Sequence, residues 1–199
     1  MNNIELIKDL LSARTPRSIQ DDDPTFVHAA VLIPLFIENG GYKILFTKRT
    51  DRVEHHKGQI SFPGGVVDEE DDSLEDTALR EAYEEVGLLK EDVKILGQID
   101  DTPTVVSQFI IHPFVGLIPY PYDFIINTEE VKWLIKVPFE VFSPDNSVHG
   151  GDAFEFQRIT YRGPAYQYCD DTIWGATARI MENFIEVVGE KLNLPLEKG

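Results

Sequence analysis

Apolar residues follow two different spacings along the chain, and each spacing predicts a different element. Residues 27–37 and 42–46 are rich in Val, Ile, Leu and Phe and predict two strands. The turn sequence Asn39-Gly40-Gly41 lies between them, so the strands are expected to form a hairpin. Residues 4–11 carry apolar residues at helical spacing and predict a short helix. Residues 12–24, with two prolines and an acidic run, predict an exposed linker.

A second predicted helix, residues 73–86, carries its own start and stop signals. Ser73 is placed to cap its N-terminus with Asp76 three residues later, and Gly87 can end it. A longer amphipathic segment, residues 173–192, predicts a C-terminal helix. Further strand-like runs lie at residues 93–99, 109–118, 131–135 and 154–161. Strands that alternate with helices in this way predict an α/β layered fold with a mixed sheet.

The length of 199 residues favours one domain with a substantial core. We expect an N-terminal helix and linker over residues 1–24, the domain itself over 25–192 and a tail over 193–199. No apolar run approaches the roughly 18 to 20 residues needed to span a bilayer, and the N-terminus lacks the order of a signal peptide, so a cytoplasmic protein is expected. The single cysteine, Cys169, cannot form an internal disulfide.

The formal net charge of −17 limits the partners that the chain can bind. Nucleic acids and anionic membranes are bound by clustered Lys and Arg, so neither is expected as a partner. A small phosphate-bearing substrate would also be repelled, unless cations reverse the sign of the charge locally. Any phosphate chemistry is therefore expected to need metal ions. Whether the chain forms a homodimer stays open.

The second predicted helix carries an unusual group of acidic residues. At about 100° per residue, Glu81, Glu84 and Glu85 fall within one arc roughly 100° wide. Apolar positions that include Tyr83 fall outside this arc and are expected to face the core. The three carboxylates repel one another, and Arg80 can pair with Glu84 but leaves most of the charge uncompensated. The arc is either a solvated acidic face or a platform for cations.

The sequence Phe62-Pro63-Gly64-Gly65, which precedes this helix, favours the second interpretation. We expect it to lead from a strand into a loop, where two glycines allow a close approach that side chains would block. A glycine carbonyl facing the carboxylates would add a further hard oxygen ligand. Such a ligand set suits Mg²⁺ or Mn²⁺ better than zinc, for which the chain has no His or Cys pattern.

Residues 65–88 resemble the Nudix box, the signature of hydrolases that act on nucleoside diphosphates linked to another moiety. The resemblance rests on the end of the segment, Arg80-Glu81-Ala82-Tyr83-Glu84-Glu85-Val86-Gly87-Leu88. It implies a Nudix-type α/β/α sandwich with a mixed central β-sheet and an enzyme that uses Mg²⁺ or Mn²⁺. Its implied metal ligands are Glu81, Glu84, Glu85 and the carbonyl of Gly64.

The same resemblance implies roles for the remaining residues of the box. One of the three glutamates is implied as the catalytic base, directly or through a bound water. Gly65 and Gly87 are the glycines of the box. Arg80 is implied to be structural, paired with an aspartate of the loop. Counting six residues on from Gly65 gives Asp71, and counting eight back from Arg80 gives Asp72, so both stay candidates.

Residues 45–50 and 56–65 are similar to the additional signature of the coenzyme A pyrophosphatase branch of the Nudix family. This implies cleavage of coenzyme A or its thioesters to 3′,5′-ADP and 4′-phosphopantetheine or its acyl form. Thr50 and Glu54 depart from that signature. Residues 48–57 form the most basic stretch of the chain. Its candidate substrate-binding residues are Arg49, Lys57 and His56, of which His56 is expected to organise the loop.

Two rivals and one further residue pair remain open. Another Nudix activity, on ADP-ribose, NADH or dinucleoside polyphosphates, is the nearest rival, and a non-catalytic nucleotide-sensing domain is a rival of another class. Glu129 and Glu130 precede a predicted strand and either face solvent or place one more carboxylate near the metals.

Overall fold

The structure, a computed structural model, describes residues 3–19, 25–50, 58–104, 108–143, 146, 153–156 and 159–192. Within these ranges the helices are α1 Asn3–Ser12, α2 Leu74–Val86 and α3 Gly175–Leu192, with 3-10 turns at Lys90–Asp92 and Phe139–Phe142. None of the helices in this described part is long and apolar enough to cross a membrane.

Twelve strands accompany these helices in the described ranges. They are β1 Val27–Glu38, β2 Gly41–Arg49, β3 Ile60–Ser61, β4 Gly64–Val66, β5 Lys94–Gln98, β6 Thr102–Pro103, β7 Phe109–Leu117, β8 Val131–Pro138, β9 Ala153–Phe156, β10 Ile159–Arg162, β11 Tyr166–Tyr168 and β12 Asp171–Ile173. The predicted hairpin is confirmed, because β1 and β2 pair antiparallel and Glu38 faces Gly41 across the turn.

The central sheet has the strand order β3-β2-β1-β7-β5, with β4 added to β1, β6 to β7 and β8 to β2. The pair β1 and β7 is parallel, from Val27 opposite Phe109 to Leu35 opposite Leu117. The other pairs of this sheet are antiparallel. The sheet is therefore mixed, as predicted.

Strand β1 divides the core into two layers, because its side chains alternate between the two faces of the sheet. Ile33 and Leu35 pack with apolar residues of α1 and α3 on one face. Leu32 and Phe36 pack with Ala78, Ala82 and Val86 of α2 on the other. This arrangement is an α/β/α sandwich, and it fixes α2 against the sheet along one side of the helix.

The ends of α2 form as the sequence predicts. The side chain of Ser73 accepts a hydrogen bond from the backbone N–H of Asp76, at 3.1 Å. Gly87 adopts the left-handed conformation with φ of 71°, and its N–H donates to the carbonyl of Tyr83 at 2.8 Å. Both caps satisfy backbone groups that have no partner inside the helix, so α2 is set to Leu74–Val86 by local chemistry.

Two predicted elements differ from the structure. Residues 154–161 do not form one strand: the described residues form β9 and β10, which pair antiparallel with Ile159 opposite Phe156. The last helix begins at Gly175 rather than at residue 173, because Ile173 ends strand β12 opposite Tyr166. Ile173 is nevertheless buried, which explains why it matched the helical pattern.

The predicted linker is only partly an independent segment. Arg14 forms an ion pair with Asp100, the backbone N–H of Arg17 donates to the same carboxylate at 2.9 Å, and that of Ile19 donates to Asp101 at 2.9 Å. These contacts hold residues 14–19 against the domain. The division of the chain at residues 24 and 192 stays a prediction.

Candidate active site

The acidic arc of α2 is graded in exposure rather than uniformly solvated. The side chain of Glu85 is 2% exposed, that of Glu81 17% and that of Glu84 52%. Tyr83, which was expected to face the core, is 56% exposed, so this prediction is wrong. The buried side of the helix contains Ala82 and Glu85, and Tyr83 lies outside it.

Arg80 joins the loop before α2 to the acidic arc. Its Nε and Nη2 donate to the two carboxylate oxygens of Asp71, at 2.8 and 3.0 Å. Its Nη1 donates to Glu81 at 2.8 Å and to Glu84 at 3.2 Å, which confirms the predicted pair with Glu84. Of the two candidate aspartates, Asp71 is thus the partner of Arg80, and Asp72 is exposed to solvent.

The Arg80–Asp71 contact is a fork in which both partners are held in place. Hydrogen bonds from Arg80 lower the pKa of the Asp71 carboxyl well below its usual range, against the opposing effect of burial. The hydroxyl of Thr77 and the backbone N–H of Asp68 also donate to Asp71, at 2.7 and 2.9 Å. Two-point pairing of this kind fixes the orientation of the arginine as well as its position.

Gly64 and Gly65 do not form a loop as predicted, because they belong to strand β4, opposite Val31 and Ala30 of β1. A Cβ atom at Gly64 would lie 2.5 Å from the carbonyl oxygen of Ala30, so β1 requires a glycine there. A Cβ atom at Gly65 would lie 2.5 Å from the carboxyl carbon of Glu81. The second glycine therefore makes room for a carboxylate of the acidic arc.

Arg49 and Glu85 meet where the end of β2 faces α2. Their Nη1 and Oε1 atoms are 3.6 Å apart. The other carboxylate oxygen, Oε2, is buried and has no hydrogen-bond partner among the described residues. Burial raises the pKa of Glu85 to about 8; Arg49 opposes this rise, and the negative charges of Glu130 and Glu81 add to it. Arg49 was predicted to bind substrate, and the structure turns its guanidinium toward Glu85.

The segment between β7 and β8, of which the sequence pattern singled out only Glu129 and Glu130, closes the end of α2. The backbone N–H of Asn127 donates to the carbonyl of Glu85 at 2.9 Å. The side-chain amide of Asn127 donates to Glu130 at 3.3 Å. The charge of Glu130 raises the pKa of both Glu81 and Glu85. The charge of Glu130 thus acts on the acidic arc, which favours the second of the two alternatives for this residue, whereas Glu129 is exposed.

The oxygen donors around Glu85 fit a hard divalent cation. A buried carboxylate oxygen without a partner is costly unless a positive charge or a hydrogen-bond donor reaches it. The acidic groups that act on Glu85 are Glu130, Glu81 and Glu84, and carboxylate oxygens are ligands that such cations prefer. No three acidic, His or Cys side chains in the described ranges already converge as a metal site, and both Glu81 and Glu84 accept hydrogen bonds from Arg80. The predicted substrate ligands His56 and Lys57 lie outside the described residues.

Comparison with known proteins places this arrangement in a family. The NUDIX domain model matches residues 27–146. The uncharacterized Nudix hydrolase NudL of Yersinia enterocolitica is 37% identical over 166 residues, which span 81% of each chain. Its namesake in Yersinia pestis is 36% identical over 160 residues, 80% of this chain and 79% of the relative.

Solved structures agree on the fold. A MutT/nudix family protein from Enterococcus faecalis superimposes with a TM-score of 0.57 over 96% of this chain and 71% of its own, at 17% identity. The MutT protein from Methanosarcina mazei gives 0.55 over 86% and 99%, also at 17% identity. The family match covers more than half of the sequence, including the acidic arc and both glycines of β4. The chain therefore belongs to the Nudix family and is a hydrolase.

Proposed function

We propose that this Nudix hydrolase cleaves the phosphoanhydride bond of a nucleoside diphosphate derivative at the acidic arc of α2. Glu81, Glu84, Glu85 and the carbonyl of Gly64 would hold Mg²⁺ or Mn²⁺. The observation that carries the proposal is the buried, unpartnered Oε2 of Glu85 beside further carboxylates. Such cations, when bound, would supply charge neutralisation at the diphosphate and would lower the pKa of a water for attack on phosphorus.

The protein's own part in this proposal is to position carboxylates before substrate arrives. Arg80, fixed by Asp71, holds Glu81 and Glu84. Strand β1 holds Gly64, and the backbone N–H of Asn127 holds the helix end that carries Glu85. Glu130 joins the ligand set as a fourth carboxylate in this proposal. Each of Glu81, Glu84 and Glu85 stays a candidate for the base, since all three share the arc.

Coenzyme A and its thioesters are the substrates that we propose within this class. The proposal rests on the similarity of residues 45–50 and 56–65 to the signature of the coenzyme A pyrophosphatase branch. Thr50, where that signature tends to have Ser or Ala, is buried, and its hydroxyl donates to the carbonyl of Glu129 at 2.8 Å. A serine could make the same hydrogen bond, so the departure at Thr50 is compatible with this branch.

The experiment that tests the substrate is a panel of diphosphates with Mg²⁺, with products identified by mass. The panel contains coenzyme A, acetyl-coenzyme A, ADP-ribose, NADH and a dinucleoside polyphosphate. We expect 3′,5′-ADP and 4′-phosphopantetheine from coenzyme A at the highest kcat/KM. A higher kcat/KM for another member would replace coenzyme A as substrate. Tight binding without turnover of any member would favour the nucleotide-sensing alternative.

Exchanging each glycine of β4 for alanine is expected to separate folding from function. In G65A the three atoms nearest the new methyl group are the carboxylate atoms at the end of the Glu81 side chain, so stability should change little while Glu81 is displaced and kcat falls about a hundredfold. In G64A the methyl group meets the β1 backbone, so the free energy of unfolding should fall by about 2 kcal/mol or more. Urea denaturation and steady-state kinetics measure both; equal activity of G65A and wild type contradicts the role of Glu81.

A further inference from the structure

Arg49 lies at the end of β2, beside an irregularity in the sheet. Strands β2 and β8 pair in register as far as Lys48 opposite Trp133, but Arg49 lies opposite Val131. The shift leaves an extra residue on β8 and forms a bulge there, so the side chains of β2 keep alternating between the two faces of the sheet. Lys48, just before the bulge, forms an ion pair with Asp171, whereas Arg49 reaches Glu85 of α2.

The bulge is fixed on both sides of Arg49. The backbone N–H of Arg49 donates to the carbonyl of Gln59 at 3.0 Å, and that of Thr50 donates to the carbonyl of Glu130 at 2.8 Å. The Thr50 hydroxyl also bonds the carbonyl of Glu129. The strand end that carries Arg49 is thus tied through the backbone to the segment that carries Glu130.

The contact between Arg49 and Glu85 is incomplete as an ion pair. At 3.6 Å the two atoms are too far apart for a hydrogen bond, although the charges attract. Arg49 Nε and Glu85 Oε2 are both buried, and neither has a hydrogen-bond partner in the described part of the chain. An arginine that was only a structural partner of Glu85 would be expected to form the close two-point pair that Arg80 forms with Asp71.

We propose that Arg49 is a counter-ion of the metal site. In the metal-free enzyme its positive charge partly neutralises Glu85, and it competes with the divalent cation for that carboxylate. This proposal rests on the proposed function, since it takes Glu85 as a metal ligand. Arg49 is then a positioning residue rather than a substrate ligand. Its charge lowers the affinity of the site for metal and reduces the cost of burying the carboxylates when no metal is bound.

The test is the dissociation constant of Mn²⁺, measured by electron paramagnetic resonance at constant pH without substrate. Replacing Arg49 with glutamine removes one positive charge a few ångströms from the site, which should lower the Mn²⁺ dissociation constant about tenfold. R49K keeps the charge and is expected to stay within about twofold of wild type. K48Q removes the same charge from the neighbouring residue, whose partner is Asp171, and should leave the constant unchanged.

A second measurement on the wild-type protein covers the case that R49Q does not fold. The NMR signal of the Arg49 Nε–H group, assigned by its absence in R49K, is expected to shift when Mg²⁺ saturates the metal site. No shift at saturation would overturn the proposal.

The failures of the two proposals are distinguishable. If wild type binds Mn²⁺ and E85Q binds it as tightly, the assignment of Glu85 as a ligand is wrong and the inference fails with it. If E85Q binds more weakly but R49Q binds as wild type does, only the inference fails. A raised KM in R49Q with an unchanged Mn²⁺ constant would make Arg49 the substrate ligand that the sequence predicted.

Discussion

Replacing Glu84 with glutamine is expected to lower kcat by about three orders of magnitude, because it removes one negative ligand from the site while leaving the fold intact. The Glu84 side chain is 52% exposed, and its interaction with Arg80 at 3.2 Å lies on the helix surface. Losing an exposed pair of this kind costs only a few tenths of a kcal/mol. Steady-state kinetics with the best substrate of the panel, together with urea denaturation, measure the two effects separately.

The matched control for E84Q is E75Q, which makes the same chemical change in the first turn of α2, away from the acidic arc. Its kcat is expected to stay within about twofold of wild type, since surface substitutions away from such features have small effects. Near-normal turnover of E84Q, with a stability equal to that of E75Q, would remove Glu84 from the metal site.

Replacing Asp71 with asparagine is expected to lower the free energy of unfolding by about 2 kcal/mol, since it breaks a buried charge-assisted pair. The Asp71 side chain is only 5% exposed and accepts from Arg80, Thr77 and Asp68. The neighbouring D72N variant changes an exposed carboxylate and should stay within about 0.5 kcal/mol of wild type. Equal effects of the two variants on urea denaturation would contradict the assignment of Asp71 to Arg80.

The same pair gives a pH dependence with a definite sign. The pKa of Asp71 is lower in the folded protein than in the unfolded chain, where it is about 3.9. The folded state therefore binds this proton less readily, and the stabilisation is present above the unfolded pKa and lost as the pH falls toward the folded value. The stability difference between wild type and D71N should be constant above about pH 5 and shrink below about pH 4. A difference that grows on acidification would contradict this.

Local chemistry was enough to predict much of the site. Ser73 and Gly87 bracket α2 through contacts within a few residues, and the helical period then places Glu81, Glu84 and Glu85 on one arc. The predicted pair of Arg80 with Glu84 is likewise one helical turn long and is confirmed. Such features depend on neighbours in sequence, which is why the sequence alone predicts them.

Features that depend on distant partners were beyond the sequence. Gly64 and Gly65 were predicted to form a loop, because their pairing with β1 as a strand depends on residues far away in the sequence. Asn127 was missed, and Glu130 stayed one of two alternatives, because both depend on how the chain passes the end of α2 after β7. Arg49 was a candidate substrate ligand, and the packing of α2 against its face of the sheet brings Glu85 next to it. In each case a partner that is distant in sequence decides which groups the residue meets.

In the proposed function divalent cations act at the acidic arc, and turnover after metal removal measures their contribution. Wild-type enzyme is stripped with a chelator, its metal content is checked by mass spectrometry, and hydrolysis of the best diphosphate substrate is followed as Mg²⁺ or Mn²⁺ is returned. We expect no turnover in the stripped enzyme, full recovery with either cation, and no recovery of E84Q under the same conditions. Undiminished turnover of metal-free enzyme, or recovery of E84Q equal to that of wild type, would contradict the central claim.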